Sequence, residues 1–235
     1  TAEEAAALLR ELSGAHLAAE HVEALTERTE GWAVGLKMAA LSLGQQQDVS
    51  AFIRDFFGSQ RYITDYLVEE VLEQQPPDVK DFLLRTSVLE KLTAPLCDAV
   101  TGRNDGETLL PALERANLLL IPLDESREWY RYEHLFSDLL RHQLTRAAGE
   151  EAVADLHRRA GAWYKARGFP GEAIDHALAA RDWEAAADLL TEVAARYANV
   201  GEITTLDSWL EALPEQVLMT RPALCCMRIF ALTLP

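Results

Sequence analysis

The chain is short of positive charge, of cysteine and of long apolar runs. Against 38 acidic residues stand 22 lysines and arginines, a formal charge of −16 at pH 7. A surface this acidic is repelled by phosphate backbones, which argues against direct nucleic-acid binding by this segment. The three cysteines, Cys97, Cys225 and Cys226, form an odd set with one adjacent pair and no disulfide framework. A reducing, cytoplasmic setting is therefore expected. There is no apolar run of roughly 18 residues and no basic-then-apolar leader, so no membrane association is expected. A phosphate-binding loop is also missing. The nearest phrase, Gly102 to Thr108, has no Lys-Ser/Thr after its second glycine and does not follow a strand. No Ser/His/Asp or Cys/His set can be assembled locally, so an enzyme complete within these residues is not expected.

What is present is a globular composition, 49% hydrophobic and 26% charged. The length of 235 residues suits two or three small domains. The pattern is organised around Asn117 to Leu144. An apolar run at Leu118–Leu123 meets a polar turn at Asp124 to Arg127. A second run follows at Glu128–Tyr132, then an amphipathic helix from about Glu133 that places Leu135, Phe136, Leu139, Leu140 and Leu144 near one face. A hairpin followed by a helix, preceded by short helices, predicts a winged-helix domain.

Upstream, Thr1 and Glu4 read as a capping box for a first helix carrying Leu8, Leu9 and Leu12, and Val22 and Leu25 belong to a second. A third, mostly buried helix is expected from Trp32 to Gly44, opened by a turn at Gly31. A helix around Tyr62–Gln74 should break at Pro76-Pro77, which begins the next one. Leu92 to Val100 and Thr108 to Ala116 read as two more, with Pro95 and Pro111 in or close to their first turns. Downstream of Glu150 the chain is helical and rich in small residues. Gly168 and Gly201 lie 33 residues apart, each ending a helix with a preceding aromatic, Tyr164 or Tyr197. That spacing is close to the period of about 34 residues in tetratricopeptide-like hairpins. The fold expected is mainly α, with one small β-hairpin. Both ends look cut, the first already in a helix and the last in the apolar LCCMRIFALTLP, as in a piece of a larger protein.

Candidate chemistry is sparse. Leu118–Glu125 resembles the acid-ended strand that holds Mg²⁺ in nucleotide hydrolases, but with Pro122 inside the run a hairpin edge is the better reading. His134, Asp138 and His142 share a helix face, where a surface pair is a simpler account than a metal site. Trp129, Tyr130 and Tyr132 interleave with Arg127 and Arg131, but Asp124, Glu125, Glu128 and Glu133 cancel the charge. These aromatics are expected to seal the hairpin onto neighbouring helices.

WYRYEHLFSDLLRHQL resembles the motif that closes the winged-helix domain in the large LuxR-type, MalT-like transcriptional regulators of the STAND class of NTPases. EGWAVGLKMAALSL, YLVEEVLEQQPPDVKDFLLRTSVLEKLTAPLCDAV, LLPALERANLLLIPLD and LHRRAGAWYKARGFPGEAIDHALAARDWEAAADLL agree with that family in collinear order. The resemblance implies a parent with an upstream P-loop domain that binds ATP or ADP and slowly hydrolyses ATP. A winged helix, a helical-repeat sensor and a DNA-binding helix-turn-helix domain would follow. This chain would hold the middle: residues 1–58 the helical end of the nucleotide-binding module, 59–149 the winged helix, and 150–235 the start of a TPR-like sensor. It would hold no cofactor itself and would couple nucleotide state to the sensor, whose effector is unknown. Gly31 matches the first residue of a Gly-x-Pro motif that lines adenine, with Ala33 in place of the proline. The position of a phosphate-facing histidine falls on Glu133, with His134 beside it. The alternative is a helical-repeat adaptor for a peptide or protein.

Overall fold

The computed structural model describes residues 2–13, 17–28, 35–36, 39–40, 43, 67–116 and 118–233. It is mainly α-helical with one small antiparallel sheet, as the periodicities predict. It divides into two compact units, Thr1–Lys80 with Glu133–Leu139, and Asp81–Tyr132 with Leu140–Pro235.

In the first unit α1 (Ala2–Ser13) packs on α2 (Ala19–Arg28). Leu9 and Leu25 are fully buried. Ser13 ends α1 by donating its hydroxyl to the Leu9 carbonyl at 2.6 Å. Leu36, Ala39 and Leu43 are buried, as expected for the third helix. The Gly31 turn, Trp32, Met38, Leu41 and the Thr1 cap lie outside the described residues. The helix expected to run to Gln74 ends sooner, and the turn Leu67–Leu72 is π-helical. Its hydrogen bonds reach five residues back, Glu73 N–H to Val68 O at 2.8 Å. The Gln75 side chain donates to the Val71 carbonyl at 2.9 Å. The amide-less Pro76-Pro77 pair then stops the winding, because neither proline can donate to it.

Helix α3 (Pro77–Thr86) begins at the second proline, α4 (Ala94–Thr101) has Pro95 in its first turn, and α5 spans Gly106–Arg115. Here one expectation needs correcting. Pro111 lies well inside α5 and not near its start. The helix begins earlier because Asp98 Oδ1 accepts the Gly106 N–H at 3.0 Å, supplying an amide partner that the turns of α5 cannot. Gly106 is also the only residue type that fits, since a Cβ there would lie 2.8 Å from the Ala94 carbonyl oxygen. Gly106→Ala is expected to cost about 1–3 kcal/mol by forcing α4 and α5 apart. Urea denaturation measures this, and an unchanged midpoint would show that the α4 backbone yields freely.

The hairpin pairs β1 (Leu120–Pro122) with β2 (Tyr130–Tyr132). Leu120 faces Tyr132 and Pro122 faces Tyr130 at the end of the register, where a missing N–H is tolerated. Asp124 Oδ1 accepts the Glu128 N–H at 2.9 Å and closes the turn, with Arg127 at φ 55°. The other edge of β2 is covered by an exchange of backbone hydrogen bonds between Tyr130 and Leu92, at 2.8 and 2.9 Å. Tyr130 and Tyr132 are buried, and Tyr132 Oη meets Thr86 Oγ1 at 2.7 Å. The aromatics thus seal the hairpin onto α3, and they do not form an open basic wing.

After α6 (His134–Ala148), Gly149 leads into α7 (Glu150–Ala166), which packs against both α4 and α8 (Pro170–Ala179). Helices α9 (Trp183–Val200) and α10 (Ile203–Ala212) form a second hairpin, and α11 (Glu215–Met219) and α12 (Pro222–Thr233) follow. The two glycines at the hairpin turns, Gly168 and Gly201, have φ of 77° and 85°, a region where a Cβ is strained.

Candidate functional site

Two places carry the sequence's candidate chemistry. The first is the start of α6. Glu133 is buried and serves as the helix cap: its Oε2 accepts the Phe136 N–H at 3.1 Å, and its carbonyl accepts the Ser137 N–H at 2.8 Å. A carboxylate at the positive end of a helix is favourable by itself. His134 is exposed on the first turn, and Asp138 and His142 are exposed farther along α6. Gly31 lies outside the described residues. Among the described residues no group of three or more metal-ligating side chains comes together.

The second place was not singled out from sequence. A cleft of about 630 Å³ lies inside the second unit, between the hairpin and its neighbouring loop on one side and α7 and α8 on the other. Leu123, Asp124 and Trp129 reach it from the hairpin, Val88, Glu90 and Lys91 from the α3–α4 loop, and Arg141 from α6. The Arg141 Nε donates to the Ser87 carbonyl at 2.9 Å, which ties α6 to that loop.

At the back of the cleft His157 of α7 and His176 of α8 meet, Nδ1 to Nδ1, at 2.8 Å. One ring must donate and the other accept, so the contact holds only while at least one of them is neutral. Burial pushes His176 down to about 4, with His157 adding to the effect. His157 is lowered too, by burial and then by the Arg141 charge. Tyr164 stacks on His176, ring centroids 5.5 Å apart and planes within 17°.

A ring pair at the same spacing, but edge-on at 66°, occurs one hairpin later. Tyr197 meets Trp209 at 4.9 Å, again twelve positions on in sequence. Trp209 Nε1 reaches back to Asp175 Oδ1 at 2.6 Å and links the two hairpins. The histidine pair is separated by nineteen residues and a turn, which no local spacing rule detects. Its one sequence trace is the 33-residue repeat itself, which aligns His176 with Trp209 as it aligns Tyr164 with Tyr197.

A hairpin closing a set of short helices, joined through one glycine to successive helical hairpins, defines a winged-helix domain followed by a helical array. Residues 68–152 match the family described as the MalT winged helix domain. The chain is 37% identical over 222 residues to the serine/threonine-protein kinase PknK of Mycobacterium tuberculosis, across 94% of this chain and 20% of that protein. It is 36% identical over 206 residues to the HTH-type transcriptional regulator MalT of Cronobacter sakazakii, across 87% of this chain and 23% of that protein. MalT of Klebsiella pneumoniae gives the same figures. Residues 68–152 thus match a MalT winged helix, and over most of its length the chain is similar to these larger proteins. It spans only about a fifth of the length of these relatives.

Proposed function

We propose that the chain is the regulatory middle of an ATP-dependent, LuxR-type transcriptional regulator of the STAND class, coupling nucleotide state in an upstream P-loop domain to a downstream TPR-like sensor. One observation carries this reading. The same collinear stretch occurs in a protein named as a transcriptional regulator and in one named as a protein kinase. A segment shared by two different outputs is more readily a regulatory element than an output. The acidic surface agrees, because it leaves DNA contact to another domain of the parent.

Physically, the coupling element is α6 with Gly149 and α7. The buried cap at Glu133 fixes where α6 begins. Past Gly149, Arg159 of α7 donates to the Val100 carbonyl of α4 at 3.4 Å, so the winged helix and the first sensor hairpin move together. A ligand shifts such a two-state element only through its differential affinity for the two states.

The test is hydrogen exchange on the full-length parent, loaded in turn with ADP and with a non-hydrolysable ATP analogue. Protection across residues 133–166 is expected to differ at least about tenfold between the two states, a coupling of about 1.4 kcal/mol. Identical exchange there would overturn the proposal. The isolated chain, titrated with a fluorescent ADP analogue and Mg²⁺, is expected to show no saturable binding. Micromolar binding lost on changing His134 would place a complete nucleotide site inside these residues instead.

A further inference from the structure

We propose that the cleft between the hairpin and the first helical hairpin binds a small organic cation, an amine or guanidinium carried on a flat apolar body. The cleft's size falls within the range of small-molecule sites. Its walls present the rings of Trp129, Tyr164 and Phe169. Leu123 and Phe169 are 43% and 41% exposed, so apolar surface at this cleft is left open to solvent. Aromatic faces attract cations through the ring quadrupole, and they stack on flat bodies.

The charges select the sign of the ligand. Four carboxylates line the cleft, Glu90, Asp124, Glu172 and Asp175, against Lys91 and Arg141. Asp124 is engaged in the hairpin turn and Arg141 holds the Ser87 carbonyl. Among the described residues Glu90 and Glu172 enter no hydrogen bond or ion pair, and Asp175 has the Trp209 N–H on Oδ1 as its side-chain partner. The resulting negative field already acts on the neighbouring groups. Asp175 is raised by burial and then by Glu90 and Glu172, and Tyr164 is pushed up to about 12 by burial and then by the same two glutamates.

An independent feature points the same way. His176 is nine-tenths buried and lines the cleft, and among the described residues its hydrogen bond is made by Nδ1, to His157. In the tautomer whose Nδ1–H donates to His157, Nε2 is an acceptor for an N–H of the ligand. An anion would be repelled by the carboxylates, and a neutral molecule would lack the charge attraction to them. The inference rests on the cleft alone and is independent of the nucleotide-coupling reading.

The test is calorimetric titration of the full chain with tryptamine, with neutral tryptophol and with anionic indole-3-propionate, which share one ring system. Tryptamine is expected to bind saturably at one site, tryptophol about tenfold more weakly, and the propionate not at all. Glu90→Gln and Glu172→Gln should each weaken tryptamine by about three- to fivefold, with unchanged melting temperature because both residues are exposed and enter no ion pair among the described residues. Rising salt should weaken tryptamine and leave tryptophol unaffected. Equal binding of all three, no saturable binding of tryptamine, or full affinity in both glutamine variants would overturn the proposal.

Discussion

Phe136→Ala is expected to lower the unfolding free energy by about 3–5 kcal/mol, the range for deleting a fully buried phenylalanine. Phe136 has no exposed surface and is among the largest side chains in that state here. It lies on the face of α6 that also buries Leu139, Leu140 and Leu144. Part of the cost is the lost transfer energy of the ring, and the rest is the cavity left when neighbours relax only partly. The position has a second use, since its backbone N–H is the donor that the buried Glu133 carboxylate accepts. Movement of α6 to fill the cavity would strain that cap, so relaxation there is opposed. A total stability of about 5–15 kcal/mol is usual for a domain, so such a loss would be a large fraction of the whole. Guanidinium denaturation followed by far-ultraviolet dichroism measures the change, with Phe136→Leu as the control that keeps most of the volume. A loss below about 1 kcal/mol in the alanine variant would show that the site collapses without cost and that α6 is not a rigid lever.

The residues that spoke most clearly in the sequence are those whose structural role is local. Asp124 and Arg127 make a turn whatever surrounds them, and Pro77 and Pro95 start helices because their fixed φ suits that position. Gly168 and Gly201 end helices at positive φ for the same kind of reason. The buried face of α6 was legible because periodicity alone reports it. Pro111 was misplaced because the start of α5 is decided by Asp98, eight residues before Gly106 and on another helix. The second partner of β2 at Leu92 was invisible for a similar reason, as a two-residue bridge has no periodicity of its own. At the candidate site the contrast is sharper. Glu133 and His134 were singled out by resemblance, and the structure gives Glu133 a capping role that its helix-start position also implied. The cleft gathers residues from the α3–α4 loop, the hairpin and three helices, so no window of sequence contains it.

Acid should destabilise the fold through the histidine pair, and His176→Phe should remove most of that sensitivity. In the unfolded chain a histidine titrates near 6.5, whereas folded His176 is held down to about 4 by burial and by His157. Between those values the unfolded state binds more protons than the folded one, so falling pH favours unfolding. The stability associated with neutral His176 is complete above about pH 6.5 and is lost progressively toward pH 4. The gap of about 2.5 pH units corresponds to a ceiling of about 3.5 kcal/mol at ~1.4 kcal/mol per unit. His157 is shifted in the same direction, and a second proton on the pair would oppose two cations across 2.8 Å. Phenylalanine keeps a ring against Tyr164 and cannot titrate, so the variant loses the Nδ1 hydrogen bond but also the proton-linked term. Melting temperatures measured every half unit from pH 4.5 to 8 would show the difference: the wild type falls steeply below about pH 6.5, and the variant falls only with the carboxylates. Parallel curves, or an NMR titration of His176 with a midpoint above 6, would mean that water reaches the pair and relieves it. Because the same ring lines the cleft, a bound cation should deepen the acid sensitivity: protonating His176 would put its second proton on Nε2 and so remove the acceptor that the ligand uses.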